Sequence, residues 1–239
     1  MNPHNMTSSL PLPTVPSYSL ELPISKKRIR YRPFLVKEEK ILLVASEMND
    51  SDQLIDAINQ VLELCTYGEV AVRKLPVADA EFLFVKIREQ SIGGSIPGTI
   101  ECKACGNTQD YVIDIPKVSV ENNVKDNVIK LSDTTYITMK FPTLETGKGL
   151  GQLQGVDIPL SITASMVESI TVNDRVFDAA DLPKADIMNW LEHCTEEQVN
   201  LISDFLESLP KVVYRDKCQC KKCGDMISVY VEGIEPFFS

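Results

Sequence analysis

Apolar positions recur along this chain with two different periods, and the changes of period divide it. In Lys37–Met48 (KEEKILLVASEM), Ile41, Leu42 and Ala45 line one side of a predicted helix. Leu54, Ile55, Ile58, Val61, Leu62 and Cys65 recur at helical spacing in the next one, which Asn49, Asp50 or Ser51 can cap. Asp79–Gln90, with Phe82, Leu83, Phe84 and Ile87, reads as a third helix stopped by Gly93-Gly94. The pattern then shortens to strand-like runs at Ser95–Glu101 and Tyr111–Ile115. A hairpin follows at Asn127–Leu131 and Thr135–Phe141, turning at Ser132-Asp133. Gly147, Gly149, Gly151 and Gly155 mark a loop. Beyond it come a helix at about Leu160–Glu168, a short hairpin at Ile170–Phe177 turning at Asn173-Asp174, and a helix from Pro183 with Ile187, Trp190, Leu191 and Cys194 on one side. Thr195-Glu196-Glu197-Gln198 is a capping box for the last helix, lined by Val199, Ile202, Leu206 and Leu209 and ended by Pro210. Two more strand-like runs, Lys211–Lys217 and Met226–Val231, close the pattern.

Four of the seven cysteines sit between those strand-like runs, as Cys102-Lys103-Ala104-Cys105-Gly106 and Cys220-Lys221-Lys222-Cys223-Gly224. A strand, a tight turn with two cysteines and a returning strand presents two thiolates to one metal. Two such knuckles complete the closed four-thiolate shell of a structural zinc site, so Cys102, Cys105, Cys220 and Cys223 are the expected ligands of a Zn2+ ion. The glycine after each second cysteine suits a turn that needs positive φ. Between the pairs lie 114 residues, positions 106–219, far beyond short zinc-finger spacing. Cys65 and Cys194 end apolar helical stripes and read as core thiols; Cys218 is a spare near the second pair. No secretory leader or transmembrane-length apolar run is visible, so the thiols are expected to be reduced and intracellular. The expected fold is α+β. A Pro-rich arm (1–23, with Pro3, Pro11, Pro13, Pro16 and Pro23) precedes a helical N-terminal unit (24–94). A zinc-ribbon-like unit of two CxxC knuckles on β-hairpins follows (95–239), with a helical insertion at about 158–210 between the knuckles.

Charge narrows the function. The chain has 24 Lys plus Arg against 34 Asp plus Glu, a formal charge of −10, which argues against broad nucleic-acid binding. One cationic strip stands out: Lys26, Lys27, Arg28, Arg30 and Arg32, alternating in part with Ile29 and Tyr31. It reads either as a solvated edge strand or as a docking strip for an acidic protein surface or nucleic acid. Catalytic chemistry is absent from the pattern. His4 lies in the arm and His193 near a helix end, and neither joins a nucleophile and a carboxylate. Asp50, Asp52, Asp56, Glu196 and Glu197 read as caps and solvated faces. A fully cysteine-ligated zinc leaves no position for a reacting water, so a non-enzymatic role is expected.

Several segments together resemble the baseplate hub proteins of T-even-type contractile-tailed bacteriophages, including the hub assembly catalyst and its relatives. They are Lys26–Leu35 (KKRIRYRPFL), Ala80–Arg88 (AEFLFVKIR) leading to Cys102 and Cys105, and Asp186–Leu209 leading to the second cysteine pair and Pro236-Phe237-Phe238. The resemblance spans roughly residues 22–239. It implies a late viral protein of the host cytoplasm that either enters the virion in the tail baseplate hub or helps that hub assemble, with other hub or tail proteins as partners. A zinc-ribbon nucleic-acid-binding or transcription-associated protein is the alternative. A thiol oxidoreductase would need an exposed cysteine of low pKa.

Overall fold

The computed structural model describes residues 13–48, 50–124, 126–148 and 157–234. The expected cap Asn49, His4, Gly149, Gly151, Gly155 and Pro236-Phe237-Phe238 lie outside them. The order is β1 (Tyr18–Glu21), β2 (Arg28–Tyr31), α1 (Val36–Glu47), α2 (Ser51–Cys65), α3 (Val77–Ile92), β3 (Ser95–Glu101), β4 (Thr108–Asp114), β5 (Ser119–Glu121), β6 (Val128–Lys130) and β7 (Thr135–Met139). Then come α4 (Asp157–Met166), β8 (Val167–Val172), β9 (Arg175–Asp178), α5 (Lys184–Glu192), α6 (Glu196–Ser208), β10 (Lys211–Gln219) and β11 (Met226–Glu232). Helices and small antiparallel sheets make this an α+β fold.

Local chemistry accounts for the helix ends. The Asp50 carboxylate accepts from the Asp52 and Gln53 N–H groups and starts α2. The α2 stripe of Ala57, Ile58, Val61, Leu62 and Cys65 is buried, as its spacing requires. Gly93, at φ 106°, ends α3. Thr195 and Gln198 form the reciprocal box at the start of α6, each side chain bonded to the other's backbone N–H.

Two apolar cores result. The first joins α1, α2 and α3 to β1, β2, β10 and the segment around Ile115, with Leu22, Val61, Leu62, Leu83, Ile87 and Tyr214 at its centre. The second lies between a four-stranded sheet, ordered β6-β7-β8-β9, and α4, α5 and α6; Ile137, Met139, Val167, Ile187, Ile202 and Phe205 fill it. Each fully buried Leu or Ile contributes roughly 2–3 kcal/mol of transfer free energy.

Three expectations change. Tyr18–Glu21, read as part of the Pro-rich arm, pairs antiparallel with β2, and Leu22 is fully buried. Among the described residues the arm therefore stops short of Tyr18, because Tyr18 and Leu20 pack on the core despite the surrounding prolines. The insertion is larger and less helical than expected. The β6–β7 hairpin does not stand alone: β7 pairs with β8 through Tyr136↔Thr171 and Ile137↔Ile170, so described apolar residues from Val124 to Leu209 share one core, while Leu144 packs on the first. The helix expected to reach Glu168 ends at Met166, because Val167 already starts β8.

Glu121 and Lys211 are cross-strand neighbours in β5 and β10, so the insertion leaves and re-enters at one place. A second attachment joins it to α2. Glu145 accepts from Asn59 Nδ2 (2.8 Å) and pairs with Arg73 (2.6 Å), while Lys148 pairs with Asp56 (2.6 Å) and Glu145 (3.0 Å).

Candidate metal centre

The two cysteine turns are built alike. Cys102 N–H donates to the Asn107 carbonyl (2.9 Å) and Gly106 N–H to the Cys102 carbonyl (2.8 Å). Cys220 N–H donates to Asp225 (2.8 Å) and Gly224 N–H to Cys220 (3.0 Å). Gly106 and Gly224 sit at φ 68° and 78°, where a side chain would be strained. Each turn closes a hairpin, β3–β4 or β10–β11, and brings its two thiols to those of the other turn.

All four sulfurs lie within 4.8 Å of one another. Cys102 Sγ is 3.7 Å from Cys223 Sγ, and Cys105 Sγ is 3.7 Å from Cys220 Sγ. Neither spacing is a disulfide, whose S–S bond is about 2.05 Å. Both match the edge of a tetrahedron of sulfurs around zinc, about 3.8 Å for a Zn–S bond of about 2.3 Å. Soft thiolates in this number suit zinc or iron, and the donor set fits a structural metal. Only a small apolar shell surrounds it: Ile227 buried, with Ile100 and Cys218 partly so.

Electrostatics favour one thiolate first. The N–H groups of Cys223 and then Lys222 point at the Cys220 sulfur and pull that thiol down to about 6. At Cys223 the Asp225 N–H acts in the same lowering sense. Cys105, burial and the remaining thiols outweigh it and push Cys223 up to about 12. Of the two, Cys220 is buried and Cys223 is exposed. Cys65, far away in the first core, is pushed up to about 12 by burial.

Two amides missed in the sequence tie the knuckles together. Gln109 on β4 accepts from Lys221 N–H (2.8 Å) and donates to the Gln219 carbonyl (3.1 Å), and Asn107 Nδ2 approaches Cys220 Sγ at 4.0 Å. Below them the Asp216 carboxylate gathers Lys117 Nζ (2.9 Å), the Tyr111 hydroxyl (2.9 Å) and the Tyr214 hydroxyl (3.0 Å). Lys117 first, then the Lys217 N–H and the two hydroxyls, hold Asp216 far below the usual carboxylate range. Burial, then the Tyr214 hydroxyl and the Asp216 carboxylate, push Tyr111 upward.

The β1–β2 hairpin repeats the turn without cysteine. Leu22 N–H donates to Lys27 (2.9 Å) and Lys26 N–H to Leu22 (3.1 Å), with Lys26 at φ 56°. Leu22 and Ser25 thus stand where the other turns carry their thiols. The Ile24 and Ser25 N–H groups correspond to those of Lys222 and Cys223 that face the Cys220 sulfur. Here they donate to the fully buried Asp79 carboxylate of α3, at 2.8 Å each. A carboxylate on a helix occupies the anion's place. No periodicity in the sequence singles out Asp79; the likeness of the three turns shows only in their backbone hydrogen bonds.

The cationic strip divides. Arg32 does not belong to an exposed strip: it pairs with the buried Glu38 (3.0 Å), which also accepts from Leu35 N–H (2.7 Å). Arg30 is exposed and pairs with Glu69. Lys26, Lys27 and Arg28 are exposed, with no ion pair among the described residues.

No curated protein and no solved structure matches the chain. Among the described residues no helix is long and apolar enough to cross a membrane. A family model described as T4 bacteriophage base plate protein matches residues 15–239, nearly the whole chain, and the chain belongs to that family.

Proposed function

We propose that this chain is a protein–protein element of the phage tail baseplate hub, acting as a hub component or as a factor in its assembly, and braced by one structural zinc. The family match over residues 15–239 carries the reading. The convergence of Cys102, Cys105, Cys220 and Cys223 supports the zinc. Four thiolates fill the ion's coordination and leave no place for a reacting water, which supports a non-enzymatic role. The metal's task is to lock two hairpins that are distant in sequence. Lys26, Lys27 and Arg28 form the cationic part that an acidic partner protein would meet, and such contacts weaken with salt.

The test is a tagged chain recovered from infected cells, together with fractionation of finished virions. Co-purifying hub or tail proteins support the reading. Presence in virions marks a component, and absence from them marks an assembly factor. Lys103, Lys221 and Lys222 are exposed on the cysteine turns, and this favours a second reading as a nucleic-acid-binding zinc ribbon. Tight, strongly salt-dependent DNA binding without any tail-protein partner would replace the first reading with the second.

A further inference from the structure

Helix α1 carries apolar residues on its solvent side as well as on its core side. Leu42 and Ala45 face the core, while the opposite side presents Val36 (68% exposed), Leu43 (55%), Val44 (52%) and Met48 (53%) to solvent. At 100° per residue, Val36, Lys40, Leu43, Val44 and Glu47 fall on one outward stripe. The stripe is a ridge with a groove on each flank. One groove runs toward α2 between Val44, Met48, Gln53 and Gln60; the other runs toward α3 beside Leu43 and Ile92, the latter 56% exposed. A cluster of large exposed apolar side chains marks an interaction surface.

We infer that this face pairs with the same face of a second copy, helix against helix, antiparallel about a two-fold axis between Leu43 and Val44. The charges point to that occupant. About such an axis Leu43 meets the second copy's Val44, and Lys40 meets its Glu47, twice over by symmetry. Lys40 and Glu47 are both exposed and neither has an ion pair among the described residues. An isologous antiparallel pairing gives each of them an opposite charge while the four central aliphatic side chains leave water. The ridge of each helix enters the grooves beside the other. A 12-residue helix is about 18 Å long, so the contact falls below the standard interface size, and a dissociation constant on the order of tens of micromolar is expected.

Sedimentation equilibrium of the full chain, from about 1 to 300 µM, tests this. The wild type should fit a monomer–dimer equilibrium, and Leu43→Asp should remain monomeric. Lys40→Glu sets Glu against Glu, and Glu47→Lys sets Lys against Lys. Each variant turns two symmetric attractions into repulsions and should weaken the dimer about tenfold. An equimolar mixture of the two single variants should regain wild-type affinity, because each chain then faces its opposite charge. The double variant should regain it too. Circular dichroism melting checks that the variants fold; if Leu43→Asp does not, the charge variants, which lie wholly on the solvent face, carry the test. A monomeric wild type throughout the range, single variants as tight as wild type, or a mixture that fails to recover would each overturn the inference.

Discussion

Asp79→Asn isolates the contact that anchors the cysteine-free turn. The carboxylate accepts two N–H bonds, from Ile24 and Ser25, at 2.8 Å each in a fully buried setting. An asparagine of the same shape keeps one acceptor oxygen and turns its NH2 toward the other N–H. One charge-assisted bond becomes neutral and the other becomes a donor facing a donor. Hydrogen bonds to charged groups contribute about 1.5–3 kcal/mol, and an unsatisfied buried donor costs about 1–3 kcal/mol, so a loss of roughly 2–4 kcal/mol is expected. For a chain of this size that is a fall in Tm of roughly 5–15 °C. Hydrogen exchange locates the damage: the Ile24 and Ser25 amides should lose protection first, followed by the β1–β2 ladder. Metal content should not change, because the thiols belong to the other two hairpins. A stability change below about 0.5 kcal/mol, or unaltered protection at Ile24 and Ser25, would refute the assignment of Asp79 as the anchor.

Three further outcomes are expected. Cys223→Ser should lose the bound zinc measured by elemental analysis and destabilise the chain by up to about 5 kcal/mol, the chain-entropy value for a cross-link across a loop of that length, whereas Cys65→Ala should keep the metal; stoichiometric zinc in Cys223→Ser would contradict the ligand set. Glu81 is pushed up to about 7 by burial and by Glu232, so the fold binds its proton more tightly than the unfolded chain does. Stability therefore falls as pH rises from about 4.5 to 7, by at most roughly 3 kcal/mol; Glu81→Gln should be more stable than wild type at pH 8 and equal to it near pH 4, and an equal difference at both would count against this. Asp216 is held low, so its stabilising effect is present above the ordinary carboxylate pKa and fades as pH falls below it. Asp216→Asn should thus melt below wild type at pH 7, with the gap closing in acid, and a gap independent of pH would contradict the network.

Much of this was legible where a single residue type dictates local geometry. Asp50 and Thr195 marked helix starts because their side chains accept backbone N–H bonds there. Asn173-Asp174 marked a turn, and both residues take positive φ. The paired Cys-x-x-Cys-Gly motifs announced matching turns, and the four sulfurs do meet. What escaped was set by distant partners. The strand at Tyr18–Glu21 was hidden by prolines, and only its pairing with β2 reveals it. The union of the β6–β7 and β8–β9 hairpins into one sheet depends on a long-range register that alternation alone cannot encode. Arg32 looked like its cationic neighbours, yet Glu38, six residues on, takes it inward. In the run Ile41–Ala45 every residue is apolar, yet there the helical period already put Leu42 and Ala45 on one side, and both are buried.

The segment between Glu121 and Lys211 begins and ends at neighbouring residues, and its described strands and helices enclose a core of their own. A segment with adjoining ends can grow, shrink or be exchanged in evolution without moving the strands that hold it. The thiol pairs sit outside those ends, one before Glu121 and one after Lys211. The cysteine-bearing frame and the module it carries are thus free to diverge at different rates. Relatives that keep the first could bear quite different surfaces on the second, provided each preserves a strut equivalent to Glu145 against α2.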